Sequence, residues 1–337
     1  MDSLTQIVLG AAVGEAVLGK KIGSRAMLWG AIAGTIPDLD VFLRFFTDPI
    51  TSTELHRGFS HSLVFAILMA PIMGWIANKI HKKREIGFKP WTKLFFLCIV
   101  THPLLDNHTT WGTQFFWPFE YRIAFKNIFV ADPLYTLPFL TFLLIAMFHK
   151  RTNPRRSMFN KIGLIVSSSY MALTIVLKGV SYYQFRAQLI KDKVEYLDMD
   201  TKPTPLNTIL WNAQAETKTG YRVANYSFFD TKDIEFSNEF PKNDDLLEPY
   251  KDQKAVQQLI KISAGWYIVE EIEGELFFVD IRFGQMGMDI NKAPFLWRYK
   301  LIPDEKGQIR VERARRDFGK ASAGSVFSEL WNRIKGN

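Results

Sequence analysis

Residues 56–84 read HRGFSHSLVFAILMAPIMGWIANKIHKKR, and the three parts of that stretch decide the fold. A polar loop with His56 and His61 opens it, the uncharged apolar run 63–77 follows, and the cations of 79–84 close it. Reactive side chains at one end of an apolar run and positive charge at the other is the pattern of a helix crossing a bilayer with its cationic end in the cytoplasm. The run falls short of the roughly 20 residues of a full span, so an all-helical soluble core is the competing reading. The rest of the chain decides between them.

Residues 1–180 hold 19 Lys and Arg against 10 Asp and Glu, and residues 181–337 hold 23 against 24, so the +8 of the whole chain resides in the first half. Fourteen of those 19 cations lie in 20–25, 79–93 and 150–161, each between two apolar runs. Cytoplasmic loops are built this way and nucleic-acid faces are not, so no nucleic-acid partner is expected. The apolar runs are 4–19, 26–37, 63–77, 91–105, 134–148 and 162–177. The first two carry Gly10 with Gly14 and Gly30 with Gly34, a spacing that lets helices approach closely in lipid. The N-terminus lacks the basic region of a signal peptide, since Asp2 stands there and Glu15 interrupts the apolar stretch.

Placing the three basic stretches in the cytoplasm gives six helices with both ends of the bundle's chain outside. Asp2, Asp38, Asp40, His56, His61, His102, Asp106 and His108 then share the non-cytoplasmic end, although only Lys and Arg were used to set the topology. That agreement favours the membrane over the soluble core. After the sixth run the composition changes. Strand patterns at 208–211, 221–229, 265–272, 276–283 and 295–302 are separated by turn residues, with helices expected near 251–262 and 325–334. The expected fold is an α-helical membrane bundle of about six short helices, residues 1–180, followed by a mostly β (α+β) extracytoplasmic domain, residues 181–337.

Histidine is the commonest metal ligand and the usual base near neutral pH. Cys98 is the single cysteine, so a disulfide within the chain and a cysteine-built zinc site are both excluded. The residues available to a metal are Asp38 and Asp40 of PDLD, His56 and His61 of HRGFSH, and His102 and Asp106 of HPLLD. A helix continuing through Pro103 puts His102 and Asp106 on one face, whereas proline disfavours helical angles at His102 and permits a kink instead. Gly58 allows backbone angles closed to other residues, Ser60 is placed to cap the helix after it, and Arg57 can hold an anion or pair with Glu54. Mixed histidine and carboxylate ligands suit Zn, Mn or Fe better than Ca or Mg. One or two divalent ions, Zn first among them, are expected there, with hydrolysis as the natural chemistry.

The segments MDSLT at 1–5, GTIPDLD at 34–40, HRGFSHS at 56–62, HPLLD at 102–106, and WGTQ with WPF at 111–119 resemble the YdjM/YbcI family of inner-membrane proteins, over roughly residues 1–180. The resemblance implies a bacterial inner-membrane protein and a metal-dependent hydrolase whose ligands are Asp38, Asp40, His56, His61, His102 and Asp106. It also implies a histidine after the N-terminal threonine, where this chain has Gln6. Either one ligand is lost or Asp2 or Glu15 replaces it. Phosphoester or lipid-derived substrates are expected from a site at headgroup depth beside Arg57, with membrane lipids as partners and His108 as general acid or further ligand. The alternative is a non-enzymatic membrane protein in which the metal ties helix ends together and the outer domain binds a partner.

Overall fold

The computed structural model describes residues 1–314 and 323–337. Its first half is helical: α1 (Ser3–Ile22), α2 (Ser24–Thr35), a 3₁₀ helix (Pro37–Phe45), α3 (Pro49–Leu55), a 3₁₀ turn (Phe59–His61), α4 (Leu63–Ile80), α5 (Phe88–Asp106), α6 (Pro133–Phe148) and α7 (Pro154–Lys191). Each of the six apolar runs has its own α-helix, the run 26–37 continuing past the end of α2 into the 3₁₀ helix. Among the described residues, two helices, α4 and α7, are long and apolar enough to cross a membrane, or three if α2 and the 3₁₀ helix after it, bent by 43°, count as one span. α6 is apolar but shorter.

The boundaries have local causes. Asp2 caps α1 by accepting from the Thr5 amide at 3.1 Å, and Asp132 caps α6 through the amides of Leu134 and Tyr135. Pro133 and Pro154 open α6 and α7 at the position where a missing N–H costs nothing. Pro103 lies inside α5, so the helix does carry through it.

α1 and α2 pack backbone to backbone. A methyl group on Gly10 would collide with the Gly30 carbonyl, and one on Gly14 with the Ala26 carbonyl; one on Gly34 would stand 2.7 Å from the Gln6 carbonyl. The two glycine pairs read from the sequence thus face each other. Around them Leu18, Ala26, Ala33, Trp91, Leu94, Phe95 and Ile99 form one buried cluster that ties α1 and α2 to α5.

The chain divides into two compact units, Met1–Leu43, Leu55–Val176 and Pro205–Asn207 in one, and Arg44–Glu54, Leu177–Thr204 and Thr208–Asn337 in the other. The second unit holds two four-stranded antiparallel sheets. Their strands are β1 (Asp198–Pro203), β2 (Leu210–Glu216), β3 (Gly220–Ser227) and β4 (Phe240–Pro241), then β5 (Tyr267–Ile272), β6 (Glu275–Gln285), β7 (Phe295–Pro303) and β8 (Ile309–Arg313), each sheet in sequence order. Phe185 and Leu189 of α7 are buried with Met199, Trp211 and Ala213 of the first sheet. Helices α8 (Lys254–Ile262) and α9 (Ala323–Ile334) match the two helices expected there.

Candidate metal centre

Pro37 and the residues after it wind into a 3₁₀ helix rather than an open loop. At three residues per turn, side chains two apart diverge by about 120°, so Asp38 and Asp40 serve different neighbours. Asp38 Oδ1 lies 3.4 Å from both His61 Nε2 and His102 Nε2. Asp40 instead gathers the HRGFSH loop, accepting from the Arg57 amide and Ser60 Oγ at 2.8 Å each and meeting His56 Nδ1 at 2.8 Å.

That loop differs from its sequence reading in two places. Gly58 does adopt angles outside the helical and extended regions, at φ −89° and ψ −117°, and the left-handed residue is its neighbour Arg57, at φ 59°. Gly58 is required for close approach, because a methyl group there would stand 2.9 Å from the Leu55 carbonyl. Ser62, not Ser60, caps α4 by accepting from the Phe65 amide at 3.0 Å, while Ser60 bonds Asp40. Glu54 bonds Lys261 at 2.9 Å, and Arg57 takes the anion-holding alternative. Its guanidinium turns inward, with Nε 2.9 Å from Asp106 Oδ2 and Nη1 donating to Thr109 Oγ1 at 2.9 Å.

α5 presents His102 and Asp106 one turn apart on one face, with Nε2 and Oδ2 separated by 3.7 Å. The His102 Nδ1–H donates to the Gly34 carbonyl at 2.6 Å, so its Nε2 is the bare nitrogen. His61 follows the same logic. Its Nδ1 lies 2.9 Å from Ser60 Oγ and 3.3 Å from Asp40 Oδ2. Since the Ser60 hydroxyl is spent on Asp40, the ring N–H is the donor on that side, and Nε2 is bare here too.

Four ligand atoms, from Asp38, His61, His102 and Asp106, all lie within 4.8 Å of one another. Five of the six separations are 3.1, 3.4, 3.4, 3.5 and 3.7 Å. A tetrahedral ion with bonds of about 2.0–2.1 Å sets its ligands about 3.3 Å apart, so these five separations are close to those such an ion takes. Two bare nitrogens 3.1 Å apart between two carboxylates also demand a cation. When that cation is a proton, it resides on His61. Burial disfavours the charge, but the carboxylates of Asp106, Asp38 and Asp40 outweigh burial and raise the group to about 9.

His61 must be neutral to bind a metal, so each ion displaces one proton. Metal affinity is therefore expected to rise about ten-fold per pH unit between about pH 6.5 and 9, read by competition with a metal buffer. The stability of the metal-free protein is expected to follow the opposite trend. His61 protonation stabilises it fully below the ordinary value of 6.5, and that contribution is lost as pH rises through about 9.

The structure thus brings together four of the six expected ligands. Asp40 and His56 are bonded to each other behind His61, where Asp40 orients the ring as the partners of metal-bound histidines do. His108 hydrogen bonds Asn127 Oδ1 at 2.9 Å and leans on Phe125; among the described residues no hydrogen bond or ion pair joins it to the four. Burial holds its pKa below the ordinary value. Gln6 does reach the cluster, donating to Asp106 Oδ1 at 2.8 Å, and its own Oε1 is buried without a partner. The Met1 amino group bonds the same Asp106 oxygen. Asp2 is occupied as the α1 cap and Glu15 in an ion pair with Arg156 at 2.6 Å, so neither stands in for a ligand.

The WGTQ and WPF motifs brace this arrangement. The Gln114 amide donates to the Arg57 carbonyl at 3.0 Å, and the Trp111 indole to the His56 carbonyl at 3.3 Å. Trp117 meets Phe59 edge to face. Thr109 and the Gly34 carbonyl were not singled out from the sequence; a main-chain acceptor carries no residue signal.

A family model described as YdjM inner membrane protein matches residues 1–185. The inner membrane protein YbcI of Escherichia coli (strain K12) is 30% identical over 119 residues, which is 35% of this chain and 67% of that protein. No solved structure matches the chain.

Proposed function

Since the chain belongs to the YdjM inner membrane protein family, we propose that it is a membrane-bound metal-dependent hydrolase acting on phosphoester or lipid-derived substrates. The observation that carries the proposal is the convergence of two bare imidazole nitrogens and two carboxylates on one point. In this reading α1, α2 with its bent continuation, α4, α5, α6 and α7 form the membrane bundle. The site and the β unit belong to its non-cytoplasmic side.

Asp38, His61, His102 and Asp106 would hold a divalent ion, Zn first and Mn or Fe as alternatives. Such an ion supplies Lewis acidity to an ester oxygen and acidifies water. Asp40, through His61 and His56, fixes the ring that faces it. Arg57, 5% exposed and tied to Asp106, adds a fixed positive charge beside the site, which suits an anionic ester. His108 keeps Nε2 free of any partner among the described residues and is the group proposed to carry a proton.

A second reading has its own observation. Three of the four ligands are fully buried and only Asp38, with its side chain 27% exposed, reaches solvent. A closed four-coordinate site ties helices together without catalysis. The test is turnover of a phosphodiester, a phosphomonoester and a carboxylic ester by Zn- and Mn-loaded protein in detergent. Hydrolysis of a phosphoester that stops on chelation and in Asp38→Asn supports the enzyme. Fully loaded protein that turns over none of the three leaves the structural clasp.

Within the enzyme reading, Arg57→Gln is expected to reduce kcat/KM for an anionic phosphodiester about ten- to a hundred-fold, the loss of one charge-assisted hydrogen bond. An uncharged ester should be affected less. Equal losses on both would show that Arg57 only supports Asp106.

A further inference from the structure

At the other end of the helices the structure forms a second polar feature. Arg25, at the start of α2, meets Lys79, Lys82, Lys83 and Arg84, at the end of α4 and just beyond it, around an open basin of about 970 Å³. His81 and Ile80 complete the lining, and no carboxylate belongs to it. Among the described residues none of the five cations is in an ion pair. Like charges that converge without a counter-charge are unfavourable unless an anion joins them.

The wall of the basin is built rather than incidental. The His81 ring stacks on Trp91 at 5.4 Å, and its Nε2 accepts from the Trp29 indole at 3.0 Å. A neutral ring so held carries its proton on Nδ1, a donor without a partner among the described residues. Burial, then Arg84 and Arg25, keep the His81 pKa low and the ring neutral. Lys79 lies 5.1 Å over the ring of Trp75, which is 57% exposed, an aromatic and cation pairing typical of the membrane interface.

We propose that this basin is a binding site for the phosphate of anionic phospholipid headgroups, formed where Arg25 meets the 79–84 cations. Basic pockets among membrane helices on the cytoplasmic side recognise such headgroups. Setting helix orientation requires only cations near helix ends. It does not require residues more than fifty positions apart to line one concavity. The site is separate from the Asp38 cluster and does not depend on hydrolysis.

The test is equilibrium binding of short-chain phosphatidylglycerol, phosphatidylcholine and inorganic phosphate to the full chain in neutral detergent. Phosphatidylglycerol should bind at least about ten-fold more tightly than phosphatidylcholine. Each lost cation should weaken it about five-fold, so Arg25→Gln with Lys82→Gln should weaken it about twenty-five-fold, and Arg25→Lys should restore most of the Arg25 share. Lys89→Gln with Lys93→Gln removes two cations from the same basic stretch outside the lining and should change binding less than about two-fold. A control pair as damaging as the basin pair would overturn the site, as would phosphatidylcholine binding equally well. Inorganic phosphate binding as tightly as the lipid would overturn the lipid assignment. Unchanged unfolding midpoints confirm that the variants are folded.

Discussion

Asp106→Ala is expected to weaken metal binding by more than about a hundred-fold and to cost about 3–5 kcal/mol of stability, the usual result of stranding one half of a buried ion pair. Asp106 is fully buried and serves several partners at once. Its Oδ2 faces Arg57 Nε at 2.9 Å and His61 Nε2 at 3.5 Å, and its Oδ1 accepts from Gln6 and the Met1 amino group. Removing the carboxylate takes away a ligand and leaves the Arg57 guanidinium buried without its counter-charge. Thermal unfolding in detergent and chelator competition separate the two effects. Glu15→Ala is the matched control, because Glu15 forms a buried two-point pair with Arg156 at 2.6 and 2.7 Å remote from the four ligands. It should lose comparable stability and retain metal affinity.

Gly30→Leu carries the other large effect. A first side-chain atom at 30 would already overlap the Gly10 carbonyl, and a leucine must push α2 off α1. Overpacking of this kind costs about 3 kcal/mol, the upper end of its usual range. The consequence reaches the site, because Gly34 on the same helix face accepts from His102 Nδ1 and the 3₁₀ helix bearing Asp38 continues from α2. Metal binding should therefore fall together with the unfolding midpoint. Gly179→Ala, with nothing within 4 Å of the added methyl, should leave both intact. Full metal binding by Gly30→Leu would show that the helix pair does not position the ligands.

These cases show what the sequence could and could not reveal. The glycine pairs were legible because small residues at that spacing serve close helix approach and little else. His102 and Asp106 were legible as a pair because helical geometry fixes what lies one turn away. The division of labour between Asp38 and Asp40 was not, since it depends on the segment being 3₁₀ rather than loop. Ser62 rather than Ser60 caps α4, and the left-handed angle at Arg57 carries no signal in its residue type.

The second half behaved similarly. Strands with aromatic and β-branched residues, such as β3 and β7, were expected. β1 was missed because DMDTKP shows no apolar alternation, yet all but its first residue are buried, with Lys202 donating to Gln214 Oε1 at 2.8 Å. A polar strand whose side chains find partners in a neighbouring strand gives no periodic signal. The six-helix count rested on loop charge, whereas length and composition alone support two or three spans among the described residues.

The central claim, a divalent ion held by Asp38, His61, His102 and Asp106, is tested most directly by elemental analysis of detergent-purified protein, wild type beside His102→Gln. The account predicts near-stoichiometric Zn, Mn or Fe in the wild type and its loss in the variant. No metal in the wild type, even after incubation with each ion, would contradict it, and so would equal metal content in both proteins.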